Sequence, residues 1–186
     1  MRPRTLVLLA VSCGALVAAA CRPYDPARDR KIPRPPKTVV YEYGATLDAP
    51  IDVVWATLTD LPSYENWNPW ILRAEGPLEV GARVDIIAKL GDDEREMWHR
   101  VVEVEAPTRF CWRDGGASTG FVTGLRCRSL AATEDGRTRI EQVLTLGGSL
   151  RKTAQKRYGP ILEAGLEAET TALGEEARRR FEADSG

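Results

Sequence analysis

The stretch TLDAPIDVVWATLTDLPSYENWNPW, residues 46–70, runs from the end of a strand through a helix into a corner crowded with rings. Residues 39–47, VVYEYGATL, alternate apolar and other side chains with a period of two and are rich in β-formers, so they read as a strand. Asp48-Ala49-Pro50 stops that strand. From Ile51 the spacing becomes helical. Ile51, Val54, Trp55, Leu58 and Leu61 fall on one stripe, and Asp52 sits in the first turn, where a carboxylate suits the positive end of the helix dipole. Leu61-Pro62-Ser63 breaks the helix, and Ser63 is placed to cap a second short helical turn through Glu65. Asn68-Pro69 then turns the chain, because proline locks φ and pushes the residue before it out of helical geometry. Tyr64, Trp67 and Trp70 therefore stand at a corner, where so much ring surface needs an apolar region to cover. Either the protein's own core or a bound guest supplies it.

Downstream, strand signals cover residues 70–74, 82–90, 94–104, 108–113, 121–132 and 137–146. Gly76-Pro77, Gly91-Asp92-Asp93, Ala106-Pro107, Asp114-Gly115-Gly116 and Glu134-Asp135-Gly136 separate them with turn chemistry. Successive strands joined by such short turns predict an antiparallel meander. The last element, residues 150–181, is helical by propensity and by the stripe Tyr158, Leu162, Leu166, Leu173, Ala177 and Phe181. Pro160 is expected to open its unbroken part, since proline is tolerated in a first helical turn, with residues 151–158 a preceding turn or separate helical piece. A helix of about 22 residues rises about 33 Å, comparable to the width of a six- or seven-stranded sheet. The order predicts an α+β fold. A curved antiparallel sheet of about seven strands wraps around a long C-terminal helix, with two short helices after the first strand.

These residues, with VGARVDI (80–86), VVEVEAPTRFCWR (101–113) and DGRTRIEQ (135–142), resemble the SRPBCC superfamily. Its helix-grip domains include START lipid-transfer proteins, polyketide cyclases and the birch-pollen-allergen family, and the resemblance covers about residues 38–183. It implies a cavity between sheet and long helix, with the corner at one end. Tyr64, Trp67 and Trp70 would then cover the cavity mouth, and Leu162, Gly165, Leu166, Glu169 and Leu173 would form the opposite wall. Glycine inside a helix costs about 1 kcal/mol against alanine, so Gly165 points to close approach of a strand or a ligand.

In the sheet, Glu96, Trp98, Arg100 and Val102 share one face, and Met97, His99 and Val101 the other. Both faces are mixed, so parity leaves open which of them meets the cavity, and an irregularity near Val101-Val102 would reverse it part way along. Phe110 and Trp112 point together, as do Phe121, Thr123 and Leu125, and each set fits cavity lining or core. The occupant implied by the resemblance is a small hydrophobic molecule, lipid-like or polyketide-like. A cyclase- or hydrolase-type enzyme using the same cavity, and an interaction module whose cavity is filled, stand beside that reading.

The chain opens MRPRTLVLLAVSCGALVAAAC, with two arginines, an uncharged apolar run and small residues, which is a secretory layout. The run falls short of the ~20 predominantly apolar residues a membrane span needs, so cleavage is expected. Cys21 after Ala18-Ala19-Ala20 resembles a bacterial lipobox, in which the cysteine is acylated and becomes the mature N-terminus. The alternative is an ordinary signal peptide and an incidental cysteine. Residues 22–37, RPYDPARDRKIPRPPK, carry five of the twelve prolines and almost no apolar side chains, and they read as a semi-rigid tether. The expected division is therefore a lipoprotein signal peptide over residues 1–20, a tether over 21–37 and one domain over 38–186. A monomer held at the cell envelope by its N-terminal lipid is expected.

Loss of Arg2 and Arg4 with the leader leaves 24 of the 26 Lys+Arg against 27 Asp+Glu, a net charge of −3 with no concentrated basic field for a nucleic acid. His99 is the only histidine, so no paired-histidine chemistry is available, and Cys111 and Cys127 lack partners at metal-like spacing. Neither a glycine-rich phosphate loop nor a G-x-S-x-G elbow is present. Glu96 and Glu169 are single carboxylates without an identified partner. No catalytic residue, metal or cofactor is therefore assigned. The strands carrying Cys111 and Cys127 meet near residue 119, midway between them, so a simple hairpin register pairs the two cysteines as a disulfide, and a slip of one residue would part them.

Overall fold

A computed structural model of the protein describes residues 37–184. The expected leader, the expected acylation site Cys21 and all of the tether except residue 37 lie outside the described residues. β1 (Val39–Leu47) leads into α1 (Ile51–Thr59), a 3-10 turn (Leu61–Ser63) and the single-turn α2 (Tyr64–Trp67). There follow β2 (Ile71–Glu75), β3 (Arg83–Leu90), β4 (Asp93–Glu105), β5 (Arg109–Asp114), a second 3-10 turn (Ala117–Gly120), β6 (Thr123–Ala132), β7 (Thr138–Gly147) and the long α3 (Arg151–Asp184). The strands form one antiparallel sheet in the order β1-β7-β6-β5-β4-β3-β2. β1 and β2 are thus opposite edges, and residues 48–70 carry the chain from one edge to the other. α3 packs along β1 and α1 and reaches β7 and β3, closing one face of the sheet.

Three local expectations need correction. Pro160 does not open the helix: α3 is continuous from Arg151, with Pro160 inside it. The lost backbone bond is tolerated because that part of the helix is held by packing. Gly159, which carries no Cβ to clash with the proline ring, lies against Tyr41, whose hydroxyl would be 3.1 Å from a Cβ added there. Ser63 does not cap α2; its hydroxyl donates to the Asp60 carbonyl and accepts the Trp67 indole N–H. β6 starts at Thr123, two residues later than the hydropathy suggests, because residues 117–120 form the 3-10 turn and Phe121 is left outside the ladder.

Between Val101 and Glu103 the β4–β5 register shifts, so Val102 and Glu103 both turn to the outer face. Met97, His99 and Val101 therefore look inward, Trp98 outward, and Val104 returns to the core beside Phe110. The inner face of the sheet, α1 and α3 share one core that includes Tyr41, Leu47, Val54, Leu58, Phe110, Ile140, Leu166 and Leu173. On the outer face Cys111 and Cys127, paired in register, form a disulfide that packs with Val102 and Leu125.

Candidate functional site

The corner at Asn68-Pro69 is fixed by a single amide side chain. Asn68 Oδ1 accepts the backbone N–H groups of Trp70 and Ile71 at 3.0 and 2.8 Å, which locks the turn into β2. Its Nδ2 donates to Glu169 Oε2 at 3.1 Å, tying the corner to α3. The other oxygen of Glu169 accepts from two inward arginines of β6, from Arg126 Nη2 at 2.7 Å and from Arg128 Nε and Nη2 at 3.1 Å each. Arg126 also donates through Nε and Nη2 to Gln142 Oε1, and Gln142 Nε2 donates to Thr170 Oγ1 at 2.6 Å. Every member of this network is buried.

Two guanidiniums face one carboxylate, so the buried cluster carries an excess positive charge. Burial alone would raise the Glu169 carboxyl, but Arg126 and Arg128 reverse that and hold it below the usual carboxylate range. Burial, and then the charge of Arg128, depress the Arg126 guanidinium to about 9. Aromatic faces take up part of the charge: Arg126 lies 4.3 Å from the Trp70 ring centre and Arg128 4.4 Å from that of Trp112.

Arg126 forms one wall of a cavity of about 240 Å³ between sheet and helix. Trp70, Ile71, Ile86, Ala88, Leu90 and Met97 line it from β2, β3, β4 and the corner, Leu144 and Leu146 from β7, and Ala154, Tyr158 and Leu162 from α3. Val122 and Gly124 close it from the start of β6. The remaining wall is His99, Trp112 and Asp114. His99 Nε2 lies 3.1 Å from Asp114 Oδ1, and Asp114 Oδ2 accepts the Gly124 N–H at 2.7 Å. The imidazole lies beside Trp112, ring centres 5.0 Å apart, and its Nδ1 is buried with no hydrogen-bond partner among the described residues. The Trp70 indole N–H is likewise buried and unpartnered. An apolar chamber thus carries a cationic donor, a spare N–H and a free imidazole nitrogen.

Residues 32–176 match the family model described as polyketide cyclase / dehydrase and lipid transport. The chain belongs to that family. The fold is shared with solved structures at low identity. The Zhui aromatase/cyclase from Streptomyces sp. R1128 is 18% identical with a TM-score of 0.66, over 77% of this chain and 96% of that one. Norcoclaurine synthase from Thalictrum flavum, in complex with dopamine and hydroxybenzaldehyde, is 16% identical with a TM-score of 0.61, over 77% and 88%. A Nitrosomonas europaea protein is 17% identical with a TM-score of 0.63, over 76% and 96%. No curated protein matches the chain in sequence. At these identities the likeness establishes the helix-grip architecture, and the family description adds small hydrophobic molecules as the class of ligand.

Within this family frame, the residues singled out from sequence divide by position. Trp70, Trp112 and Leu162 line the cavity. Gly165 touches its wall from behind, because a Cβ there would lie 2.4 Å from the Trp70 ring. Tyr64, Phe110, Leu166 and Leu173 are fully buried core, and Glu169 is the centre of the ionic network. Tyr64 donates to the Leu58 carbonyl at 2.7 Å, and burial raises its phenol. Trp67 is half-buried against the Tyr64 ring, 4.8 Å away, and does not line the cavity. The expected roof of three rings thus reduces to the indole of Trp70.

Three residues belong elsewhere. Trp98 lies in an outer groove between the guanidiniums of Arg83 and Arg100, Leu125 covers the disulfide, and Phe121 is 60% exposed. The apolar set Thr123, Leu125, Cys127 points outward, while Arg126 and Arg128 point in. Hydropathy alternation gives the wrong face here because the carboxylate that makes inward arginines tolerable comes from α3, some 40 residues on. His99, Asp114 and Arg126 on the cavity wall, and Asn68, Arg128 and Gln142 in the ionic network behind it, are not identified by sequence reasoning. The available signal was the Arg-x-Arg alternation inside an otherwise apolar strand.

Proposed function

We propose that this protein is a lipid-anchored envelope receptor or carrier that holds a small, mainly apolar molecule bearing one anionic or strongly accepting oxygen group. The observation that carries the proposal is Arg126, a 4%-exposed guanidinium with excess positive charge on the wall of an otherwise apolar cavity. Burial of Arg126 opposes its charge, and Glu169 is already shared with Arg128, so a ligand carboxylate or enolate would complete the pairing. Size narrows the guest. A cavity of about 150 Å³ takes benzene, and ordinary ligand pockets run from about 300 Å³ upward. The roughly 240 Å³ here suits a one- or two-ring acid or a short acyl chain, not a two-tailed phospholipid. It also exceeds the volume of a few waters, which argues against an interaction module with a filled interior.

Native mass spectrometry of the gently purified protein against naphthoate, octanoate, their neutral alcohols and a diacyl phospholipid tests this reading. Adducts with the acids are expected, weaker ones with the alcohols, and loss of the acid preference in Arg126→Met. No adduct across the panel would refute it. The anchor is tested separately by the mass of the mature N-terminus, which should carry acyl chains on Cys21 and lose them in Cys21→Ser.

A second reading, enzymatic use of the same chamber, rests on the His99–Asp114 pair. Asp114, fixed by the Gly124 N–H, orients the imidazole through Nε2 and leaves Nδ1 unpartnered at an apolar cavity, the arrangement of a general base. Turnover of a bound carbonyl compound that disappears in His99→Ala while its adduct persists would establish this reading; persistence of both would remove it.

A further inference from the structure

We infer that the end of the domain where the tether enters docks on an anionic lipid bilayer, apart from whatever the cavity holds. Three chain segments meet there. The β1 start is paired to the β7 end through Val39 and Leu146, and the β7 end to the β6 start through Gly147 and Thr123. Just beyond that rim Phe121 is 60% and Leu150 49% exposed, and the two are joined by the Leu150 N–H donating to the Phe121 carbonyl at 3.0 Å. Val40, 47% exposed, stands at the same end of β1.

A basic field surrounds these apolar tips. Lys37, Arg151 and Lys152 line one surface depression with Val39 and Val40, and Lys156 and Arg157 follow exposed on the next turn of α3. Residues 115–125 carry no charge, and residues 143–162 carry no carboxylate. The first acids along the two flanking elements are Glu42 and Glu163, and Asp114 at this end is already engaged by His99 and the Gly124 N–H. The acidic β3–β4 hairpin, Gly91-Asp92-Asp93-Glu94, meets α3 at Ile161. That is about 14 Å or more along the helix from Leu150, Arg151 and Lys152, beyond the ~8 Å over which charge is felt in physiological salt, while Arg157, about 6 Å from Ile161, lies within reach of the hairpin acids. Exposed apolar tips bordered by Lys37, Arg151 and Lys152 match a bilayer bearing anionic headgroups. The position of Lys37 supplies the second argument, because a chain anchored upstream enters the domain at this face. Val122, Ala154 and Tyr158 line the cavity from the same end, so its mouth would open toward the lipid.

Amide hydrogen exchange of the full-length Cys21→Ser chain, with and without vesicles of phosphatidylglycerol and phosphatidylcholine at 3:7, tests the inference locally. Exchange should slow in residues 37–41, 117–123 and 148–157 with these vesicles and recover in 0.5 M salt, a concentration that shrinks the Debye length to roughly half its physiological value. Each basic side chain at an anionic surface strengthens partitioning about fivefold, so Arg151→Ala with Lys152→Ala should raise the lipid concentration for half-protection about 30-fold. Phe121→Ser should weaken protection while leaving the salt response in place, and an unchanged melting temperature confirms that each variant is folded. Absence of slowing, slowing centred on residues 90–94, or indifference to the paired alanine substitution would overturn the inference. Equal protection by soluble dextran sulfate would overturn it in favour of a general polyanion site.

Discussion

Glu169→Gln removes the one negative charge between Arg126 and Arg128 while keeping the shape of the side chain. Glu169 Oε1 lies 2.7 Å from Arg126 Nη2 and 3.1 Å from Arg128 Nη2, and all three residues are almost fully inaccessible to solvent. With charge centres about 4 Å apart and an effective dielectric of about 20, each attraction is gross ~4 kcal/mol, and the Arg–Arg repulsion is left unopposed. Relaxation and entry of water from the adjoining cavity reduce the observed cost, so a loss of about 3–5 kcal/mol on urea unfolding is expected, the usual result of breaking a buried pair from one side. Added carboxylate ligand should return part of it in Glu169→Gln, because the ligand supplies the missing charge. A loss below about 1 kcal/mol with an unchanged m-value would refute the argument. The result would mean that the arginines are solvated or neutral and that the cavity carries no excess charge.

Acid titration should show the same residue. The Glu169 carboxyl is held below its ordinary 4.5, so the unfolded chain takes up its proton first as pH falls. Its stabilisation is complete above about pH 4.5 and lost below it, and the stability difference between wild type and Glu169→Gln should narrow as the pH drops past that point. Gly165→Ala gains about 1 kcal/mol in helix propensity. It also places a methyl group 2.4 Å from the Trp70 ring, which must shift toward Arg126 and the cavity at an overpacking cost of about 1–3 kcal/mol. A lowered melting temperature and weaker adducts should follow; a more stable protein with intact binding would contradict that packing. Peptide mapping should find Cys111 linked to Cys127, and replacing both by alanine should cost about 3 kcal/mol for their separation of 16 residues. Recovery of both as free thiols without reductant would disprove the bond.

The order of elements was legible in the sequence because it depends on local chemistry. Strand alternation in residues 39–47, the helical stripe from Ile51 to Leu61, the Asn-Pro corner and the turn residues between strands all act over a few positions. Together they define the meander and its closing helix. Which face of β4 meets the cavity, and whether an irregularity near Val101-Val102 reverses it, stays open in the sequence; the observed pairing decides that Met97 and His99 face inward and Trp98 outward. The start of α3 was misjudged because proline's local cost was weighed without the contact of Gly159 with Tyr41.

The sequence by itself determined the architecture and the compactness of the corner, since backbone propensity, side-chain period and turn chemistry are properties of neighbours along the chain. Tertiary structure alone decided the chemistry of the interior. Whether Arg126 and Arg128 point into the core depends on Glu169 arriving from α3 to neutralise part of their charge, and whether His99 holds a fixed orientation depends on Asp114 lying across the β4–β5 ladder. Electrostatic partners of that kind act through space at a few ångströms, and hydropathy read along the chain assigns such arginines to solvent until the partner is in place.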